Sequence, residues 1–428
     1  MKKMHEPRQA LNAERQRLAD QRAGKADWRH WGPYLSERAW GTVREDYSAS
    51  GTAWEHFDHS QARSRAYRWN EDGLGGICDK DQWLCFALAL WNGRDEILKQ
   101  RAFGLTGNQG NRGEDVKEYY FYTDALPSHS WLRYLYKYPQ AAYPYARLVQ
   151  ENRQRSRLDP PFNLLDSGVF AHQRYWDIDV KYAKASPTQI LIRITAHNRG
   201  DREAELHLIP QLWFRNTWSW GDEVARPHLS VVDAPASAAW AVTAEHAQLG
   251  PYTLYGEQQA ELLFTENESN SRQLWGVPAP GPYVKDAFHR RVVEGDHSAV
   301  NPGMKGSKFG AWYRLRVGAG ESKKIDLTLA AETLEQPFLE MEKTIALRRS
   351  EADIFYDELL PEGGPEDHRI MRQAQAGMTW NKQFFHFDVQ RWLEGDQVAP
   401  PRQRLRGRNH RWRHLHAAEI LAVPDTWE

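Results

Sequence analysis

The chain has 428 residues, with 56 Lys and Arg against 57 Asp and Glu, a formal net charge of -1 and 41% hydrophobic residues. That length exceeds one ordinary core and predicts two or three domains, or one large all-β domain with additions, while the balanced charge disfavours nucleic acid or anionic lipid as a partner. Only Cys78 and Cys85 occur, at a spacing of neither a metal site nor a disulfide framework, so buried free thiols are expected; the 19 Trp suit cores, interfaces and ligand-stacking walls alike.

Residues 1–27 are charged and Ala-rich, as in a surface helix or a frayed arm. No signal-peptide h-region and no run of eighteen apolar residues occurs, so the expectation is a cytoplasmic protein with no membrane partner. From Trp28 to Gly76 aromatics and charges alternate without a clean period, which fits strands and loops. "QWLCFALALWNG" (82–93) is a continuous apolar run closed by Asn92-Gly93, the pattern of a buried strand ending in a turn.

From Arg174 the β signal strengthens. Ile190, Ile192 and Ile194 lead through "NRGD" to Leu206 and Leu208, which predicts a hairpin. Short strands are expected at 240–246, 252–257 and 261–265, and a second hairpin should pair Tyr313, Leu315 and Val317 with Ile325, Leu327 and Leu329. Repeated short strands argue for a large β-sandwich over 28–335. The pattern then changes: Phe338, Met341, Ile345, Ala352, Phe355 and Leu359 recur at helical spacing over 338–360, and Ile370, Ala374, Met378, Asn381 and Phe385 continue it over 365–390. A β-to-α switch near residue 335 leaves helices that need partner helices to bury their stripes.

Several motifs invite chemistry. "GLTGNQGNRGED" (104–115) lacks the Gly-Lys-Ser/Thr ending of a phosphate loop and reads as an ordered Gly-rich loop. In "EDVKEYYFYTDALPSHSW" (114–131), Glu114, Asp115, Glu118 and Asp124 lie among Tyr119, Tyr120, Phe121 and Tyr122. Carboxylates beside aromatic faces suit sugar binding, and a sheet edge docked on another domain gives the same pattern. "WGTVREDYS" (40–48) and "RAYRWNEDG" (65–73) likewise set carboxylates among Trp and Tyr, fit for acid/base work or for surface ion pairs. His386, His410, His414 and His416 form no strong zinc pattern and read as hydrogen-bonding groups on a helix face.

Taken in order, "WGTVREDYS", "RAYRWNEDG", "LCFALALWNG", "GEDVKEYYFYTDALPSHSWLRYLYKYPQ", "DVQRWLEGD" and "RNHRWRHLHAAEILAVPDTWE" resemble the N-terminal half of bacterial glycoside hydrolase family 63 proteins, relatives of processing α-glucosidases and mannosylglycerate hydrolases. The likeness spans roughly residues 28–428. It implies a mainly β chain: an N-terminal arm (1–27), a β super-sandwich (28–335), then linker helices and the start of a truncated (α/α)6 barrel (336–428). In that family two barrel carboxylates hydrolyse the glycosidic bond with inversion. "PDTWE" then opens a motif that runs on to the general-acid Asp, and this chain stops at Glu428 before reaching it.

The resemblance places Trp427 and Glu428 at the entrance of the sugar pocket, and Arg44, Asp46, Tyr47, Glu71 and Asp72 on sandwich motifs that face substrate or the domain interface. Thr426 stands where Lys is usual, and Phe384 and Phe385 where Trp or Tyr is common. An inverting pair needs its carboxylates roughly 6.5–9.5 Å apart with room for water, and no pair here has a claim to that role. The expectation is an oligosaccharide or small glucoside as ligand, no cofactor or metal, no catalytic residue in this chain, and a separately encoded barrel as a candidate partner. The alternative is a non-catalytic carbohydrate-binding or scaffolding sandwich. Apolar helix stripes left without a barrel should make the chain associate.

Overall fold

The computed structural model describes residues 12–38, 58–67, 69–220, 225–360, 362–394 and 410–422. Apolar side chains at alternate positions form two antiparallel sheets that share one core. The six-stranded sheet runs β1 (Trp31–Gly32), β2 (Leu74–Asp79), β3 (Leu84–Trp91), β10 (Ala204–Phe214), β16 (Lys308–Val317), β14 (Glu261–Thr265). The nine-stranded sheet runs β15 (Lys305–Gly306), β11 (His228–Val232), β12 (Trp240–His246), β13 (Gly250–Gly256), β17 (Ser322–Ala330), β9 (Gln189–Asn198), β8 (Tyr175–Ser186), β7 (Trp131–Pro139), β6 (Tyr119–Ala125). Two small pairs complete the strands: β4 (Gly104–Leu105) with β5 (Asp115–Val116), which closes the Gly-rich loop, and β18 (Lys382–Asp388) with β19 (His416–Ala422). Gly104 is required there, because a Cβ would stand 2.0 Å from the Asp115 carbonyl oxygen.

The chain is mainly β, and the strand expected within 82–93 forms as β3, with Leu84, Phe86, Leu88 and Leu90 in the core. Both expected hairpins are corrected. β9 pairs with β8 and β17, whereas β10 pairs with β3 and β16, so the chain crosses from one sheet to the other between them. β16 and β17 are separated in the same way. Ile190, Ile192 and Ile194 therefore meet Leu206 and Leu208 through the shared core instead of lying beside them.

Asn198, fully buried, ties the two crossings together. Its side-chain nitrogen donates to the carbonyls of Arg202 (2.7 Å) and Val317 (3.0 Å), and its oxygen accepts from the Gly200 amide (2.9 Å) and from Gln140 (2.7 Å). Its own amide donates to the Glu321 carbonyl at 2.9 Å. One amide thus satisfies backbone groups at two corners that ladder bonds cannot reach.

The helices use the sheet as their partner. Helix α1 (Ala13–Arg22) sets Glu14 to accept from the Ser128 amide and hydroxyl, both at 2.7 Å, while Arg17 pairs with Glu351; of the two expectations for this stretch, residues 13–22 follow the helix. Helix α2 (Ala287–Val292) puts Phe288 on the outer side of the six-stranded sheet. Helix α3 (Met341–Leu359) buries Met341, Ile345, Ala352, Phe355 and Tyr356 against Trp131, Ala183 and Leu191 of the nine-stranded sheet and Leu126 in the turn after β6. Helix α4 (Pro365–Trp380) ends on Trp380, stacked on Tyr122 with ring centroids 5.2 Å apart. The helical period expected to reach residue 390 stops there: Phe385 lies on β18, which pairs with β19, and the Phe384 amide donates to the Tyr34 carbonyl. Ile370 and Met378 of the expected stripe stay 61% and 66% exposed.

Candidate functional site

The loops that cover the outer face of the six-stranded sheet bring a group of charges together. Alternation on β10 and β16 turns Gln211, Trp213 and Lys308 away from the inter-sheet core. Lys308 Nζ donates to Gln100 Oε1 (3.2 Å) and Gln211 Oε1 (3.1 Å) and lies 4.8 Å from the centroid of the Trp213 ring. Glu71 Oε1 accepts from Asn267 Nδ2 at 2.7 Å, and the Glu71 amide donates to Gln82 Oε1 at 2.7 Å. Asp72 Oδ1 pairs with Arg101 Nη2 at 3.0 Å, and Lys285 Nζ donates to the Arg65 carbonyl at 2.7 Å. Every one of these side chains is buried.

Burial sets their titration. It pushes Lys308 down to about 7, with the Lys285 charge acting in the same direction, and Lys285 down to about 8. Burial also pushes the Glu71 carboxyl up, against the pull of Lys285 and of the Asn267 hydrogen bond. Beside Asp72, Glu37 is pushed up to about 7 by burial, opposed by the Tyr122 hydroxyl that donates to it at 2.6 Å. Each carboxylate is therefore met by a donor of the protein itself. The arrangement can fix the covering loops on the sheet.

Of the residues singled out from sequence, Glu71 and Asp72 come together here, while Arg44, Asp46, Tyr47, Trp427 and Glu428 lie outside the described residues. Arg101, Lys285, Lys308 and Asn267 had not been singled out; Asn267 is 196 residues from Glu71 in sequence, and isolated polar residues in or beside strands carry no local signal of such a meeting. In the 114–131 stretch, β6 is the edge strand of the nine-stranded sheet. Glu118 accepts from Lys99 Nζ at 2.6 Å and from the Tyr136 hydroxyl, and Asp124 accepts from Trp131 Nε1 at 2.8 Å and pairs with Arg372 of α4. Those carboxylates serve the docking of the edge. His386 and His416 sit on strands, not on a helix face, with His416 Nδ1 3.1 Å from Asp388 Oδ2. Among the described residues no three His, Cys, Asp or Glu side chains are grouped to hold a metal. Cys78 and Cys85 are free, buried register partners on β2 and β3.

No family model matches the chain. It is 38% identical over 462 aligned positions to YMR196W, an uncharacterized protein of Saccharomyces cerevisiae, an alignment that takes in 97% of this chain and 42% of the relative. The chain thus spans less than half the length of that relative. Among solved structures, a polysaccharide lyase aligns with 59% of this chain and 26% of its own at 11% identity and a TM-score of 0.27. A family GH92 inverting mannosidase from Bacteroides thetaiotaomicron aligns with 85% of this chain and 41% of its own, at 10% identity and a TM-score of 0.23.

Proposed function

We propose that this chain is the sandwich portion of an inverting α-glycoside hydrolase of the family 63 type that acts on oligosaccharides or small glucosides, and that it does not itself cleave the glycosidic bond. The motifs quoted above support the family. The observation that carries the non-catalytic role is the state of the two described candidate carboxylates: Glu71 and Asp72 are buried and held by Asn267 and Arg101. In this reading the acid and base are supplied by an (α/α)6 barrel, either in the same polypeptide or as a separately encoded partner, and the greater length of the yeast relative leaves room for one.

The test is turnover of nitrophenyl α-glucoside and of maltose by the 428-residue chain. The expected result is release no faster than in buffer. A monomer of this chain that hydrolyses either substrate would overturn the proposal.

A further inference from the structure

Beyond the ends of β3 and β7, one strand from each sheet, lies a cavity of about 330 Å3, within the range of roughly 300–1,000 Å3 typical of small-molecule sites. Its walls carry the rings of His59, Phe103, Tyr143 and Tyr145. Fixed contacts hold these rings in place. His59 stacks on Tyr145 with centroids 4.0 Å apart and planes 14° apart, and it meets Phe103 edge to face at 4.5 Å. Behind the walls, Lys99 pairs with Glu118 at 2.6 Å and sets its ammonium 3.9 Å from the Phe103 centroid and 4.0 Å from that of Tyr143. The Asp95 carboxylate accepts from the Tyr143 amide at 2.6 Å and from the Tyr138 hydroxyl. Gln109 of the Gly-rich loop donates to the Tyr145 hydroxyl at 2.8 Å, so that loop buttresses the cavity. Phe103 is buried behind the other rings, whereas His59, Tyr143 and Tyr145 keep part of their surface open.

Two polar groups of the lining are unspent. The Glu96 side chain belongs to an exposed residue, and neither its carboxylate nor a ring nitrogen of the half-buried His59 has a hydrogen-bond or ion-pair partner among the described residues. The His59 nitrogens are not among the sealed polar atoms of the protein. Burial, with Lys99, Arg38 and Arg63 acting in the same direction, pushes His59 down to about 3. Near neutral pH the ring is therefore uncharged and offers one N–H donor and one lone pair. Together with the Glu96 carboxylate it can both give and take hydrogen bonds, which is what hydroxyl groups require, while the aromatic walls suit apolar C–H faces. A cationic ligand would meet the positive field that depresses His59, and an anionic one would meet Glu96 and Asp95.

We propose that this cavity binds a neutral sugar, with C–H faces against Tyr143 and Tyr145 and hydroxyls shared between His59 and the Glu96 carboxylate. The site rests on the chemistry of the cavity itself and goes beyond the hydrolase reading.

Calorimetric titration of the 428-residue chain with maltose, choline chloride and inorganic phosphate tests it. Saturable binding of maltose in the millimolar range is expected, with no binding of choline or phosphate. His59→Phe keeps a ring on Tyr145 and removes both nitrogens, and it should weaken maltose about tenfold. Glu96→Gln should weaken it about fivefold and leave the thermal midpoint of the free protein unchanged, so it carries the test should His59→Phe fail to fold. Absence of maltose binding at millimolar concentrations, choline or phosphate binding as tightly as maltose, or maltose affinity left unchanged by either substitution would overturn the site. Because this chain is expected not to cleave maltose, a failure to bind strikes the site alone and leaves the hydrolase reading to its turnover assay.

Discussion

The outer faces of the two sheets are built from the same kinds of residue and end in opposite conditions. On the six-stranded sheet, Lys308 and Gln211 face outward and are sealed beneath loops that add Glu71, Asp72, Arg101 and Lys285. On the nine-stranded sheet, outward charges pair across neighbouring strands at the solvent boundary: Arg133 with Asp179 and Lys137 with Asp177, each at 2.7 Å. Alternation fixes which side chains point out, and what covers them fixes their energetics. Buried charges must be repaid by fixed partners and are costly to orphan, whereas charges at the boundary keep water as an alternative partner.

The largest test of that contrast is Asp72→Ala. It leaves Arg101 buried without this carboxylate, and an expected loss of about 3–5 kcal/mol follows from breaking one side of a buried pair, measured by urea unfolding. A loss below about 1 kcal/mol would place Asp72 with the boundary pairs. Next in size is the pH dependence at Glu37, where one oxygen accepts from Tyr122 and the other has no partner among the described residues. Its pKa rises on folding from 4.5 to about 7. The folded state therefore binds more protons than the unfolded one between those values, and the contribution is full below pH 4.5 and lost as pH climbs through 7. Glu37→Gln, which resembles the protonated acid, should match the parent at low pH and exceed it by up to roughly 3 kcal/mol above neutrality. Parallel stability curves would show that Glu37 keeps its charge state.

How far this contrast could be read from sequence differs between its parts. The alternation of Ile190, Ile192 and Ile194 marks β9, and the helical spacing from Met341 to Phe355 marks α3, because one buried face imposes a period. Whether two successive strands lie side by side or cross between sheets is not encoded in that period, since both arrangements present the same residues to the core. The turn residues around "NRGD" and "GAGES" suit either, and the deciding contact, Asn198 to Val317, spans 119 residues. Similarly, Glu71 and Asp72 were visible as carboxylates among aromatics, but their burial depends on distant strands that supply Lys308 and Gln211. The C-terminal end of α4 was misplaced because Phe385 happens to extend the 3.6-residue period, while pairing with β19 decides its backbone.

Lys137 gives the smallest and most discriminating effect. Its Nζ lies 2.7 Å from Asp177 Oδ1 and 4.8 Å from the centroid of the Tyr175 ring, and its side chain is 30% exposed. Asp177 also accepts from Arg199 Nε at 2.7 Å, so Lys137→Ala leaves that carboxylate paired. The loss is then one boundary ion pair and one cation–π contact, about 0.5–1 kcal/mol together, and added salt should shrink it further. A cost above about 2 kcal/mol, unchanged by salt, would mean that charges on the nine-stranded face are desolvated like those around Asp72. Such a result would imply that this face too is covered in the protein, beyond the reach of α3 and α4.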